Sequence, residues 1–299
     1  MNSSPIHHPK ENSKPLDLNS QMPIKLVTAE KYTIDQLTNA YNQTRVDYMV
    51  PMPMNVARLA EYIHLYEIDL SQSLVALVNG NIVGLGMLGL REKRSWITRL
   101  GVVANQRAQG IGQALMEGLI ANSDALEKDT IMLEVIVGNI PALRLFDKLG
   151  FKEHSELLVL RRAPELVAKP TSKIYPMDKG NIFYCLKNRK GFQAWTNQVE
   201  SLYRAKGIHG FQIYTPSGGH GTIVYQRTMF NLSRIMFETE GDDEEGIMFE
   251  LLQHLHHQHP DLDTYTENIP VEDHRVQAFY RIGYFDVFRR IEMHRQLVI

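Results

Sequence analysis

Apolar residues in the first half of the chain form short runs separated by helically spaced faces. Runs that are typical of strands occur at residues 24–27, 73–78, 82–90, 97–103, 130–137, 152–155 and 157–161. Helical spacing predicts helices at 34–42 and 56–66, after Gly110 and after Asn139. Asn79 and Gly80 suit a tight hairpin. The pattern predicts antiparallel strands, then a strand, a turn and a helix, as in an α/β fold.

The second half shows a similar alternation behind a segment with three prolines. Residues 163–178 contain Pro164, Pro170 and Pro176, which predict a linker. Beyond it we expect strands at 182–186, 208–214, 222–226 and 230–237, and helices at 191–205 and 243–258. Residues 216–221 are glycine-rich, but no helix follows them, so we expect a hairpin turn rather than a phosphate-binding loop.

The segment 97–115 carries the first candidate chemistry. A helix that begins after Gly110 leaves its first N–H groups without internal partners, and its dipole adds positive charge there. Gly110 and Gly112 have no side chains to hold a ligand away from the backbone. Arg107 adds a cation. The segment therefore predicts a phosphate site.

Two motifs then resemble one family. Arg107-x-x-Gly110-x-Gly112, behind Leu100-Gly101-Val102, resembles the acetyl-CoA pyrophosphate loop of the Gcn5-related N-acetyltransferases, the GNAT superfamily. Asn139-x-x-Ala142-x-x-Leu145-Phe146-x-x-x-Gly150-Phe151 resembles the second signature of that family, at the correct spacing. The resemblance covers residues 24–162. It implies a mixed, mostly antiparallel twisted sheet flanked by helices, with acetyl-CoA as co-substrate and no metal.

The resemblance also implies roles for individual residues. The Val102 N–H is expected to stabilise the acetyl oxygen, and Asn139 to bond the pantetheine arm, although Asn139 also suits a helix N-cap. The residues expected to bind acetyl-CoA are Leu100, Gly101, Val102, Arg107, Ala108, Gln109, Gly110, Ile111, Gly112, Gln113, Asn139, Ala142 and Phe146.

Glu134 is the candidate general base. It is the one charged residue in an apolar strand, and partial burial would raise its pKa toward a range useful for accepting a proton from an amine. The alternative is a structural ion pair with Arg99 or another cation. Phe146 stands where the family commonly has a tyrosine that protonates the leaving thiolate. Tyr48 or Tyr284 could replace that acid.

Soft apolar residues mark a candidate acceptor site. Two prolines at 51 and 53 interrupt regular structure, and the corresponding loop in GNAT proteins walls the acceptor pocket. The residues expected there are Tyr48, Met49, Met52 and Met54. They could equally well only seal the core.

The second half resembles a diverged copy of the first. Residues 268–270 and 278–284 repeat the pattern of the second signature. Six carboxylates between residues 238 and 245 replace the anion loop, so we expect no CoA there in the family manner. Four histidines between 254 and 259 are expected to form a solvated helix end rather than a metal site.

Length and charge limit the remaining choices. The 299 residues suggest two domains, and we expect a disordered tail at 1–22, a GNAT domain at 23–162, a linker at 163–178 and a degenerate GNAT-like domain at 179–299. A net charge of −2 gives no reason to expect nucleic acid or membrane binding, and no apolar run could span a bilayer. The single Cys185, expected in a strand, has no internal partner. A cytoplasmic protein is expected, and a homodimer stays open.

Together these features predict an acetyl-CoA-dependent N-acetyltransferase. The acceptor would be a primary amine, on a small molecule or a peptide N-terminus, which attacks the thioester directly in a ternary complex. The alternative is a non-catalytic module that senses acyl-CoA and contacts a partner.

Overall fold

A computed structural model describes residues 23–191, 193–216 and 218–297, so the tail expected at 1–22 lies outside the described residues. The elements of the first half are β1 Lys25–Thr28, α1 Ile34–Gln43, α2 Val56–Leu65, β2 Leu74–Val78, β3 Asn81–Arg91, β4 Arg94–Val102, α3 Ile111–Ala125, β5 Thr130–Ile136, α4 Ile140–Lys148 and β6 Lys152–Arg162.

The same order of elements then occurs a second time. The elements of the second half are β7 Lys173–Pro176, α5 Lys179–Lys187, α6 Val199–Arg204, β8 Ile208–Tyr214, β9 His220–Arg227, β10 Asn231–Glu240, α7 Glu244–Gln258, β11 Asp263–Pro270, α8 Val276–Arg281 and β12 Phe285–Gln296.

Local signals in the sequence explain the element ends near the site. Asn79 and Gly80 both adopt positive φ, 52° and 77°, in the hairpin between β2 and β3. The Asn139 side chain accepts a hydrogen bond from the Ala142 N–H and begins α4. Gly150, with φ 87°, ends it. These three predictions are confirmed.

All twelve strands form one sheet, in the order β1-β2-β3-β4-β5-β12-β6-β11-β10-β9-β8-β7. Most neighbours are antiparallel, but β4 pairs with β5, and β10 with β11, in parallel. The last strand of each half is exchanged: β12 pairs with β5, and β6 pairs with β11. Each half therefore completes the sheet of the other.

Helices cover the two faces of the sheet. The predicted face of α3 is buried through Ile111, Leu115 and Leu119, and the helix packs on β2, β3 and β4. Gly118 lies so close to β2 that a Cβ atom would stand 2.6 Å from Cδ1 of Leu74. The absence of a side chain at Gly118 thus allows α3 to lie close against β2.

Several predicted elements differ from the structure. Residues 182–186, expected as a strand, lie in helix α5, and Cys185 on it is half-buried. The helix expected at 191–205 is a 3₁₀ turn at Trp195–Asn197 followed by the short α6. The two strands expected at 152–155 and 157–161 are the single strand β6. Residues 173–176, expected within the linker, form β7 at the sheet edge.

No helix in the described part of the chain is long and apolar enough to cross a membrane.

Candidate functional site

Strands β4 and β5 separate partway along their length. Their parallel pairing ends at Ile97 and Leu133, and the residues beyond diverge. A bulge in β4 contributes, because the register against β3 shifts between Thr98 and Gly101. Arg99 within it has φ 53°, a left-handed conformation that is uncommon for residues other than glycine. The divergence opens the sheet at the end nearest to α3 and α4.

The backbone of β4 presents an N–H to this opening. Val103 donates to the Val83 carbonyl at 2.9 Å and thus belongs to a hydrogen-bonded pair. Antiparallel pairs alternate, so Val102, opposite Gly84, is a non-hydrogen-bonded pair. The Val102 N–H therefore points away from β3, toward the opening. Its role as a donor to an oxyanion stays a prediction.

The loop before α3 adopts a left-handed backbone conformation at Gly110, which favours glycine. Gly110 is the N-cap, with φ 81°, and a Cβ there would meet no atom within 4 Å, so the space around it is open. Ala108 has φ 61°, and Ala108 and Gln109 are both exposed. The first turn, Ile111 to Gln113, carries no acidic residue. Its N–H groups are available to an anion.

Arg107 makes contacts within the protein. Its guanidinium forms two hydrogen bonds of 2.7 Å with the Asp47 carboxylate, and Nε donates to the Val102 carbonyl at 3.1 Å. Both side chains are exposed, at 41% and 52%. Exposed pairs contribute little to stability, so an anion could compete with Asp47 at small cost. Contact between Arg107 and a pyrophosphate stays a prediction.

Gly101 has a packing role. A Cβ on it would clash with Oγ1 of Thr44, at the end of α1. Gly112 is less constrained, because its Cβ would stand 3.7 Å from Val102 and 3.8 Å from Leu145, at ordinary contact distance. A larger side chain at position 112 would extend from a point between β4 and α4.

A cleft of about 1080 Å³ continues from this opening across both halves of the chain. Of the predicted cofactor residues, Leu100, Asn139, Ala142 and Phe146 line it. Of the predicted acceptor residues, Tyr48, Met52 and Met54 line it, and Met54 is also part of the core. Met49 is 56% exposed and does not line the cleft.

Glu134 lies in the wall of the cleft with two partners from the second half. Its Oε1 accepts a hydrogen bond from Nδ2 of Asn268, and its Oε2 accepts one from Nη1 of Arg290, both at 2.9 Å. The side chain is only 8% exposed. The same Nη1 of Arg290 donates to Glu267 at 2.8 Å. One guanidinium is therefore shared by two carboxylates.

Burial raises the pKa of Glu134 from its ordinary value of 4.5 to about 7, although Arg290 and the Asn268 hydrogen bond act in the opposite sense. Glu292 and Glu267 raise it further by repulsion. The pKa of Glu267 is instead lowered, because the cations Arg290, Arg234 and Arg99 outweigh its burial. The two carboxyls differ in charge near neutral pH, which suits Glu134 to proton transfer.

The family model described as Acetyltransferase (GNAT) family matches residues 36–151, a range that contains β4, the loop, α3, β5 and α4. Residues 36–151 are a GNAT domain. An N-alpha-acetyltransferase of Sulfurisphaera tokodaii is 34% identical over an alignment of 92 residues, and the match covers 26% of this chain and 55% of that protein. The chain thus spans about half the length of this curated relative.

Solved structures resemble the whole chain in fold. A GCN5-related N-acetyltransferase from Sphaerobacter thermophilus superposes with a TM-score of 0.69 at 13% identity, covering 94% of this chain and 97% of that one. A tandem GNAT protein from the clavulanic acid biosynthesis pathway has a TM-score of 0.61 at 11% identity, covering 93% and 99%. At these identities the likeness concerns the fold, and it extends beyond the GNAT domain into the second half.

The second half begins its corresponding helix differently. Asp243 caps α7 by accepting a hydrogen bond from the Gly246 N–H at 2.8 Å, and Glu244 and Glu245 follow in the first turn. The carboxylates thus occupy the position that is free of acids in the GNAT domain. That the second half binds no CoA in the family manner stays a prediction.

The histidines at the end of α7 diverge, contrary to the expected solvated cluster. His254 bonds Ser172, His256 is buried against the Tyr284 hydroxyl, and His259 bonds Tyr225. In the described segments no group of three or more His, Cys, Asp or Glu side chains could hold a metal ion.

Among the candidate acids, only one borders the cleft. Tyr48 lines it beneath the Arg45 guanidinium, 4.3 Å from the ring centroid. Tyr284 is buried against His256 within the core of the second half, and Tyr280 bonds Asp286. Phe146 packs against Phe151 and has no proton to donate.

The second half contributes residues to the cleft and to the surroundings of Glu134 that the sequence did not reveal. They are Arg234, Tyr265, Glu267, Asn268 and Arg290. Glu267 and Arg290 lie in strands, where charged residues signal either solvent or a partner. The partner could not be identified, because it depends on the exchange of β6 and β12.

Proposed function

We propose that this protein transfers an acetyl group from acetyl-CoA to a primary amine, by direct attack of the amine on the thioester. The observation that carries the proposal is Glu134, a buried carboxyl with a pKa raised to about 7 at the opening between β4 and β5. A base with a pKa near the working pH is effective in removing a proton from an ammonium group.

Acetyl-CoA fits the residues that surround this opening. The α3 N-terminus offers free N–H groups without acidic neighbours, and the space at Gly110 is open. The residues that would hold the pyrophosphate are those from Arg107 to Gln113. Asn139, Ala142 and Phe146 border the path from there into the cleft. Bound acetyl-CoA supplies an activated carbonyl carbon.

The chain's own groups then divide the proton transfers. Glu134 accepts a proton from the incoming ammonium, and the nitrogen lone pair becomes available to form the new C–N bond. The Val102 N–H donates to the carbonyl oxygen as negative charge develops on it. The nitrogen of the adduct loses its second proton to water. As the C–S bond breaks, the sulfur leaves with the electron pair and takes a proton from Tyr48 or from water, and water returns a proton to Tyr48 when that residue was the donor. The products are the acetylated amine and free CoA thiol.

A second candidate function is an acyl-CoA sensor without catalysis. Two observations favour it: Phe146 in place of the usual acid, and the ion pair of Glu134 with Arg290. Both functions require acetyl-CoA to bind at the same loop, and only the enzyme releases thiol.

Calorimetric titration of acetyl-CoA tests the shared step. Gly112→Glu places a side chain between Val102 and Leu145 and adds an anion at the helix terminus, while a glutamate in the first turn keeps the helix stable. The control, Ala121→Glu, makes the same charge change at an exposed position nine residues further along α3. We expect binding by wild type and control and its loss in Gly112→Glu.

Thiol release then separates the two functions. Acetyl-CoA is incubated with a panel of amino acids, peptides, polyamines and arylamines, and free thiol is measured against an amine-free blank. Amine-dependent release by the wild type, reduced in Glu134→Gln, supports the enzyme. Binding without release from any amine would support the sensor, and absence of binding would overturn both.

A further inference from the structure

Two arginines, one from each half, occupy corresponding bulges that border the cleft. Arg99 in β4 and Arg234 in β10 both have φ 53°, and in both strands the register against the neighbouring antiparallel strand shifts around the arginine. Both residues line the same cleft as Glu134. Strained backbone conformations of this kind cluster at functional sites, and this one occurs at corresponding positions of both halves.

The two guanidinium groups lie over the rings of two neighbouring tyrosines. Arg99 lies 4.1 Å from the centroid of the Tyr62 ring, and Arg234 lies 5.2 Å from that of Tyr66. The two rings are themselves in edge contact at 4.6 Å. Burial raises the pKa of Tyr62, Arg99 opposes this and Glu134 adds to it. Arg99 and Glu134 therefore both lie within electrostatic reach of one hydroxyl.

Each guanidinium is oriented by neutral groups only. Arg99 donates from Nη1 to the Tyr41 hydroxyl at 3.3 Å, and Arg234 donates from Nη2 to the Tyr66 hydroxyl at 2.7 Å and from Nε to Gln226 at 3.0 Å. Across residues 23–191, 193–216 and 218–297, Nη2 of Arg99 and Nη1 of Arg234 have no protein hydrogen-bond partner, and neither arginine has an ion pair.

The charges of the cleft wall do not balance. Glu134 and Glu267 share the single guanidinium of Arg290, and Asp263 pairs with Arg161. Glu61 lies at the exposed rim. Among the described residues no carboxylate forms a direct ion pair with Arg99 or Arg234, although Glu267 lies within electrostatic reach of both. The two cations thus keep free hydrogen-bonding capacity in a site partly shielded from water. Such cations favour an anion and repel a second cation.

We infer that the acceptor carries a carboxylate in addition to its amine, as an amino acid does, and that Arg99 and Arg234 bind this carboxylate while the amine faces Glu134. This inference rests on the proposed function, since it names the acceptor class of the same site. A guanidinium that has no direct ion pair and keeps a free terminal N–H₂ matches a carboxylate in geometry and charge. A polyamine would place further positive charge beside both arginines.

Matched acceptor pairs test the inference. Phenylalanine is compared with phenethylamine, tyrosine with tyramine and leucine with isoamylamine, so that each pair differs by one carboxylate. Spermidine and phosphoethanolamine complete the set. We expect kcat/KM of the acid to exceed that of its decarboxylated partner by at least about tenfold, because a charge-assisted bidentate contact is lost. Equal or better use of the decarboxylated amines, spermidine or phosphoethanolamine would overturn the inference.

Variants assign the effect to the two arginines. Arg99→Gln and Arg234→Gln should raise KM for the acids while leaving KM for the decarboxylated amines within about twofold. Arg99→Lys and Arg234→Lys, which keep the charge, should recover part of the loss. Arg289→Gln is the matched control. It also removes one positive charge, but Arg289 does not line the cleft, although it is next to Arg290 in the chain. Equal losses for acids and amines in both Gln variants would mean a structural role.

A binding measurement keeps this inference separate from the proposed function. N-acetylated leucine and N-acetylated isoamylamine are titrated into the protein with CoA present. Binding of the acid alone, reduced in Arg99→Gln and Arg234→Gln, would support the carboxylate site even if no acceptor turned over. Binding of neither ligand, or of both equally, would overturn it even if some other amine were acetylated.

Discussion

Glu134 and Arg290 meet in a hydrogen bond of 2.9 Å although 156 positions separate them in the chain. Glu134 belongs to the GNAT domain and Arg290 to the last strand of the second half. The contact exists because β12 lies beside β5, with Glu292 opposite Glu134 and Arg290 opposite Ile136. The second half thus acts on the candidate base directly, because Arg290 opposes the rise that burial causes in the pKa of Glu134.

Replacement of the candidate base should abolish most catalysis. We expect Glu134→Gln to lower kcat by 10²- to 10⁴-fold, the usual contribution of a general base, while the dissociation constant of acetyl-CoA stays the same. Glu156→Gln, on an exposed part of β6, is the control. Steady-state kinetics and calorimetry check both values. Retained kcat in Glu134→Gln would exclude this residue as the base.

The pH dependence of activity should follow the same carboxyl. Because burial raises the pKa of Glu134 to about 7, kcat should rise with pH up to about 7 and level off above it.

Stability should show the opposite trend. Between pH 4.5 and about 7 the folded protein holds a proton that the unfolded chain releases, so the free energy of unfolding falls as pH rises. Urea unfolding of wild type and Glu134→Gln across this window isolates the contribution of the carboxyl. An identical slope in both proteins would contradict it.

Removal of the shared cation should change both properties. Arg290→Gln leaves Glu134 and Glu267 buried without their ion pair, so the pKa of Glu134 should rise further and the kcat profile should move to higher pH. The free energy of unfolding should fall by about 3 kcal/mol, as in other broken buried pairs. Arg290→Lys keeps the charge and should restore the position of the profile. An unshifted profile in Arg290→Gln would show that Arg290 does not control the base.

The GNAT domain alone should not fold stably. A fragment of residues 23–162 leaves β5 without β12, and β6 without β11 and β12. Exposed strand edges of this kind favour aggregation. We expect the fragment to be unfolded or aggregated by circular dichroism and size-exclusion chromatography, and coexpression with residues 163–299 to recover a folded complex. A monomeric, cooperatively unfolding fragment would contradict this expectation.

Features that depend on neighbouring residues could be predicted from the sequence. The hairpin at Asn79, the cap at Asn139 and the glycine at 150 each act within a few positions, and the GNAT motifs lie on contiguous segments. The charged position of Glu134 within an apolar strand likewise indicated a special environment.

Features that depend on tertiary contacts could not be predicted from the sequence. Helix α5 has an apolar run that resembles a strand, but only Ile182 and Leu186 are buried, at helical spacing, while Tyr184 is 71% exposed. The Asp178 cap was the available signal, since its side chain accepts a hydrogen bond from Asn181 N–H. The Trp195 segment is held by stacking on Trp96 at 5.8 Å rather than by a helix pattern.

The exchange of β6 and β12 also sets an order of events during synthesis. A ribosome releases β1 to β5 and the anion loop long before β12, yet β12 belongs in the middle of the finished sheet. A chain interrupted before Phe285 would contain the entire GNAT motif, with Glu134 facing a gap instead of Arg290. The cleft can therefore be completed only after the second half has been synthesised, and a chain truncated before β12 lacks the finished site.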